Sequence, residues 1–247
     1  MKVYNNFFEN PRRNEYVNGL IGVYFFIAII DVIAEFFGTQ FFVFISKPFL
    51  IPILFLMYVI KSRKFNLVYI SAIGFAWLSD VFFISHRLIF LSLGSVSFLL
   101  FLILFIYFIF KHVKFQGYLS LIIGCIPFLL GYYFFYNLAQ NQLKVMFYSY
   151  FVTGVLIVFL GGYSLGSYML NPSKSNTFLA LSVFLLATSQ FVFVLEHYFA
   201  DIRLLHSLLI LFYVIAQYLI FVFVVLEEKR KRYHEFRNKS LKIDTNL

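Results

Sequence analysis

The sequence predicts an all-α fold: a polytopic membrane helix bundle of about eight transmembrane helices, with both termini cytoplasmic. Three observations carry that reading. Hydrophobic residues make up 62% of the chain and charged residues 13%, whereas a soluble domain is about half apolar and about a quarter charged. The apolar residues fall in continuous runs close to the ~20 residues a helix needs to cross a bilayer, without the alternation of a β-barrel. Lysine and arginine are shared very unequally between successive loops.

The runs fall at about 17–37, 41–60, 66–86, 88–110, 117–137, 145–169, 177–199 and 203–226. They divide the chain into a cytoplasmic N-terminal segment (1–16), a transmembrane domain (17–226) and a basic cytoplasmic tail (227–247). The polar start runs straight into the first span, so no cleavable signal peptide is expected. An even number of spans puts both termini on one side. Sixteen of the 20 Lys and Arg then share that side, Arg87, Lys144 and Arg203 face the other, and Lys47 lies within a span. That bias marks the termini side as cytoplasmic. The net charge of +9 is therefore a topology signal, and no nucleic-acid partner is expected.

Within the spans, Pro48, Pro52 and Pro127 are expected to kink their helices or free a carbonyl for a polar contact. Gly161, Gly162 and Gly166 allow close helix approach. The 37 Phe and 18 Tyr serve packing and lipid-facing surfaces. The short loops predict that sequential helices are neighbours. Leu78-Ser79-Asp80-Val81-Phe82-Phe83 in the third span is echoed by Thr188-Ser189-Gln190-Phe191-Val192-Phe193 in the seventh, the spacing of a parallel 4 + 4 duplication. After Glu228 the tail lacks apolar periodicity. It reads as a frayed helix end followed by disorder, with Lys229–Arg232 placed to touch anionic headgroups.

Polar residues inside the spans carry the functional signal, because a charge in hydrocarbon costs about 2.5–3.5 kcal/mol on insertion scales. At ~1.5 Å per residue, Asp80, Lys47 and Asp31 each lie about six residues, roughly 9 Å, from the outer end of their spans. Glu35 stands one turn further out than Asp31 on the same face, near enough to the interface to be simply solvated. Ser95 and Ser97 enter from the same side, Ser189 and Gln190 sit somewhat deeper, and Tyr213 and Gln217 share a face of the eighth span deeper still. Two readings remain open. One is a structural Lys47–Asp80 ion pair that orients helices. The other is a polar cavity in which a carboxylate acts as general acid or base.

Other chemistries find little support. Four of the five histidines lie at loops or span ends, and His206 lies a few residues inside the eighth span. No HExxH or similar ligand spacing occurs, so no metal and no cofactor are expected. Cys125 is the single cysteine, which excludes an intramolecular disulfide and a thiolate cluster. No GxSxG elbow, P-loop or GxGxxG is present.

Ser46-Lys47-Pro48, Leu78-Ser79-Asp80-Val81, Leu93-Gly94 with Phe98, and Tyr213-Val-Ile-Ala-Gln217 together resemble the YhhN-like family of integral membrane proteins, which contains lysoplasmalogenases. The correspondence runs from about residue 40 to 225. The resemblance implies eight spans in a bacterial inner membrane and hydrolysis of a lysoplasmalogen, or a related lysophospholipid-like substrate, to a fatty aldehyde and a glycerophospho head. It implies a carboxylate in the third span, matched by Asp80, and a second after a serine in the seventh, where this chain has Gln190 after Ser189. Leu102 stands near where the family commonly has a histidine. Asp80 and Asp31 are therefore the candidate catalytic residues, and Lys47, Ser189, Gln190, Tyr213 and Gln217 the candidate substrate-binding residues, with a membrane lipid as partner. Two alternatives stay open: a non-enzymatic lipid or small-solute binding or transport protein, and a catalytically impaired family member.

Overall fold

A computed structural model describes residues 11–62, 65–85, 87–115, 117–139, 147–198 and 203–244. Most of the N-terminal segment and the loop residues Arg63, Lys64, His86 and Lys144, used in the reading of topology and histidines, lie outside it. Eight helices follow in order: α1 (Pro11–Phe37), α2 (Gln40–Lys61), α3 (Leu67–Phe83), α4 (Leu88–His112), α5 (Tyr118–Ala139), α6 (Phe147–Leu170), α7 (Lys174–Tyr198) and α8 (Arg203–Asp244). No strand occurs among the described residues.

Six helices are long and apolar enough to cross a membrane, and the apolar stretches of the other two, Leu67–Phe83 and Tyr118–Phe134, are shorter. The 17 residues of α3 rise only about 26 Å, less than the ~30 Å of a hydrocarbon core. The expectation of about eight spans therefore holds for the helix number, while length alone supports six. Large apolar side chains such as Ile29, Phe44, Phe110 and Leu130 point outward, as a lipid-facing surface requires.

Helical spacing decides which side chains face inward. In α2 the buried positions include Val43, Ser46, Leu50, Leu54 and Met57, a three-four repeat. In α3 they are Tyr69, Ala72, Ile73, Ala76, Ser79 and Asp80, so Asp80 rides on the same inward stripe as the apolar core. Phe101, Phe105 and Phe108 of α4 and Phe223 of α8 fill the centre, with Phe105 and Phe108 each meeting Phe223 edge-on.

Two local devices place α1, α2 and α3. Gly38 adopts φ +71°, the left-handed conformation that ends a helix with little strain in glycine. It turns the chain within two residues, with Thr39 N–H donating to Ala34 O at 2.9 Å. Pro52 has no N–H to offer the carbonyl of Pro48 one turn earlier. The Trp77 indole N–H of α3 donates to that oxygen at 2.9 Å, as the proline reading anticipated.

Neighbours in sequence pack together, with one exception: α4 lies against α6, and α5 packs on α6 and α7 instead of on α4. Most of the large α5 side chains are left exposed. The reason is on the α5–α6 seam. A Cβ on Gly162 would strike Cys125 and the Leu121 carbonyl, and one on Gly166 would strike Ser120. Near-contact of backbones there binds α5 to α6. The pairing of α2 with α8 has a 4 + 4 counterpart in α4 with α6, but the pairing of α1 with α8 has none in α5 with α4.

The tail departs from expectation. α8 continues as helix to Asp244 instead of fraying after Glu228. The stretch contains neither Gly nor Pro and is rich in good helix formers. Its first turn is fastened: Glu228 accepts from Tyr58 Oη at 2.6 Å and Ser62 Oγ at 2.5 Å, and Arg230 pairs with Glu227 at 3.4 Å. Asn14 and Lys61 meet at this same end, so the starts and stops of α1, α2 and the charged part of α8 gather there.

Candidate functional site

At the opposite end of the bundle, below the Gly38 turn, four helices contribute to a chain of charged groups. Glu35 of α1 accepts from Lys47 Nζ of α2 at 2.7 Å. Its other oxygen is 3.1 Å from His206 Nε2 of α8, and His206 Nδ1 is 3.0 Å from Glu196 Oε1 of α7. Two expectations are corrected here. Glu35 is not simply solvated; its side chain is 14% exposed and sits between two basic groups. Lys47 does not make its ion pair with Asp80. The i, i+4 step from Asp31 carries Glu35 to the outer rim, where it meets the lysine ammonium first. Asp31, one turn deeper and fully buried, accepts from Ser46 Oγ at 2.5 Å.

Beneath this chain lies a cavity of about 90 Å³ whose lining includes Asp31, Lys47, Asp80, Ser189, Gln190 and Tyr213. Six of the seven residues singled out from sequence thus share one pocket. Gln217 stands one turn below Tyr213 on α8 and is buried without lining the cavity. The two Ser-Asp/Gln pairs that suggested a duplication, Ser79-Asp80 and Ser189-Gln190, both face this space.

Within the cavity Asp80 is nearly buried and forms no ion pair among the described residues. The Tyr213 hydroxyl lies beside its carboxyl. Other hydroxyls are already committed: Ser79 donates to Gly94 O at 3.1 Å and Ser189 to Leu186 O at 2.8 Å. Of the seven buried side-chain polar atoms without a hydrogen-bond partner of ordinary geometry among the described residues, Asp31 Oδ2 and Tyr213 Oη belong to residues lining this cavity, and Gln217 Nε2 lies one turn below it. Buried polar groups are normally satisfied, so Asp31 Oδ2 and Tyr213 Oη leave hydrogen-bonding capacity unused at the cavity. A carboxyl, a phenol and an ammonium converging on one small space can transfer a proton and hold a polar group while it happens. Among the described residues, no group of three or more His, Cys, Asp or Glu is arranged to hold a metal.

Sequence reasoning passed over Glu196 and His206. Spacing carried the signal for both. Ser189, Phe193 and Glu196 follow i, i+4, i+7 on α7, and His206, Ile210, Tyr213 and Gln217 follow the same rhythm on α8. Each belongs to the stripe that holds a residue already singled out.

The family model of the YhhN family matches residues 42–224. The chain belongs to the YhhN family. No curated protein and no solved structure matches it. The YhhN segment contains Lys47, Asp80, Ser189, Gln190, Tyr213 and Gln217, whereas Asp31 and Glu35 lie N-terminal to it. Leu102, near the position where the resemblance implied a histidine, is fully buried in the apolar core around α4. It lies a turn beyond Phe98, which lines the cavity.

Proposed function

We propose that this YhhN-family protein is a lysoplasmalogenase-like membrane hydrolase that cleaves the vinyl ether of a lysoplasmalogen or related lysolipid by carboxylate acid–base catalysis. The observation that carries the reading is Asp80: a carboxyl without an ion-pair partner, in a small membrane-embedded cavity, beside a tyrosine hydroxyl.

In this mechanism Asp80 gives its proton to the vinyl carbon distal to the ether oxygen, and the electron pair of the double bond forms the new C–H bond. The positive charge is shared between the proximal carbon and the oxygen. Water adds to that carbon and returns a proton to the Asp80 carboxylate. The hemiacetal then collapses, its hydroxyl proton passing to the departing ether oxygen, to give a fatty aldehyde and the glycerophospho head. One water is consumed and no redox partner is needed. Asp31, anchored by Ser46, is the second carboxyl and would stabilise the cation or orient the water. Lys47 and Tyr213 position the oxygen-bearing part of the substrate. The excess of Lys and Arg at the other end supports a cytoplasmic position for it, and in that orientation the site would serve the outer half of a bacterial inner membrane.

The test is turnover by purified protein in nanodiscs. Wild-type protein is expected to release aldehyde from a lysoplasmalogen. Asp80→Asn, nearly isosteric, is expected to lose at least about a hundredfold in rate while unfolding like the wild type. Full activity in that variant would sink the assignment. A second reading, an impaired family member, is favoured by Gln190, which cannot usefully give up a proton. It predicts an inactive wild type and aldehyde release by Gln190→Asp.

A further inference from the structure

A second, larger space meets the polar cavity at Gln190. This half-open chamber of about 820 Å³ is lined by α5, α6 and α7, within the roughly 300–1,000 Å³ of ordinary ligand sites. Along α7 it runs from Gln190 to Thr177, about 20 Å at helical rise. Gln190 lines both spaces.

Its walls suit hydrocarbon. Pro127, Ala180, Phe184 and Ala187 contribute apolar surface, and three of the hydroxyls that occur are satisfied internally. Thr177 donates to Ser173 O at 3.0 Å, Thr188 to Phe184 O at 2.9 Å and Tyr132 to Phe151 O at 3.3 Å. A polar ligand would gain little from them and lose its hydration. The polar cavity, at about 90 Å³, has room for about three waters and none for a second chain. On its far side it meets a polar mouth of about 600 Å³ that shares Lys47, Glu196 and His206 with it and adds Arg87 and Arg203. Both arginines are exposed and form no ion pair among the described residues.

We propose that these three spaces form one binding path for a single-chain amphiphile, with its chain in the α5–α6–α7 chamber and a phosphate in its head taken by Arg87 and Arg203. The bond between chain and head then lies at Gln190, in the cavity that holds Asp80. This deepens the hydrolase reading and rests on it for the identity of that bond. Guanidinium groups match phosphate oxygens, and the order of spaces, charged, polar, apolar, matches the order of groups along such a lipid.

The experiment uses full-length protein in nanodiscs and a lysophosphatidylcholine with a diazirine at the chain terminus. Photolabel is expected on α6 and α7 residues of the chamber, and excess unlabelled lysophosphatidylcholine is expected to remove it. Label spread over outward residues such as Ile29 and Phe110, without competition, would overturn the proposal. Gly131 lines the chamber, and a Cβ there would meet nothing within 4 Å. Gly131→Leu and Ala187→Leu are expected to cut labelling by the long-chain probe about tenfold and to spare a short-chain one; equal losses for both lengths would count against the chain subsite. Arg87→Gln with Arg203→Gln is expected to weaken labelling by the phosphate-bearing probe about fivefold or more but not by a monoacylglycerol analogue; a loss with both probes, or with neither, would overturn the head assignment. Chamber labelling without aldehyde release would defeat the hydrolase and leave the binding path standing. Asp80-dependent release with label elsewhere would do the reverse.

Discussion

Replacing Lys47 by Met tests the charged chain at its shortest link. The Lys47–Glu35 contact is 2.7 Å, and both side chains are 14% exposed. Breaking a fully buried pair by removing one partner costs about 3–5 kcal/mol. Here the residual exposure and the surviving His206 contact at 3.1 Å lower the expected loss to about 2–3 kcal/mol. Glu35→Gln alone leaves Lys47 without its partner while His206 keeps Glu196, for an expected cost of about 1–2 kcal/mol. In the double variant the mutual attraction is lost only once. It should therefore cost at least about 1 kcal/mol less than the sum of the single changes. Unfolding free energies from denaturing-detergent titration in mixed micelles, followed by far-ultraviolet circular dichroism, measure all four corners of the cycle. Single changes that add to within about 0.5 kcal/mol would refute the pairing.

Two further predictions concern the scaffold. Trp77→Phe leaves the proline-freed carbonyl of Pro48 without its donor and should cost about 0.6–1.5 kcal/mol in the same titration; an unchanged midpoint would show that the tie contributes nothing. Gly162→Ala drives a methyl into Cys125 and the Leu121 carbonyl and should destabilise by about 1–3 kcal/mol. Gly131→Ala, which meets nothing, should be neutral or gain up to about 1 kcal/mol from helix propensity. Equal effects at the two glycines would contradict the close α5–α6 approach.

Much of the site was legible because the signals for depth and face are local. Matched distances from the span ends grouped Asp31, Lys47 and Asp80, and all three line one cavity. Partner choice was not legible. Asp31, Glu35 and Asp80 are all carboxyls toward the same end of the bundle, and which of them reaches Lys47 depends on how the Gly38 turn sets α1 against α2. Glu196 and His206 were overlooked for a related reason. Near the end of a span a charged residue costs little, so its position alone carries no alarm, and only the stripe it shares with a deeper residue reveals it. The packing of α5 beside α6 and α7, away from α4, was beyond loop length altogether, since it depends on how closely glycine-bearing surfaces can approach. The helical tail was misread because low hydrophobicity was taken for disorder, whereas Glu228 is tied to Tyr58 of α2 and to Ser62 just past its end.

The placement of α5 bears on how such a protein can diversify. Asp31, Lys47 and Asp80 come from α1, α2 and α3, while the large apolar chamber is walled by α5, α6 and α7. The helix most exposed to lipid contributes no residue to the polar cavity. Mutations that reshape the chamber on α5 can therefore accumulate without moving an ionisable group. Selection could retune which membrane components such a chain accepts while leaving its proton-handling groups untouched, and the two traits could drift at different rates within a lineage.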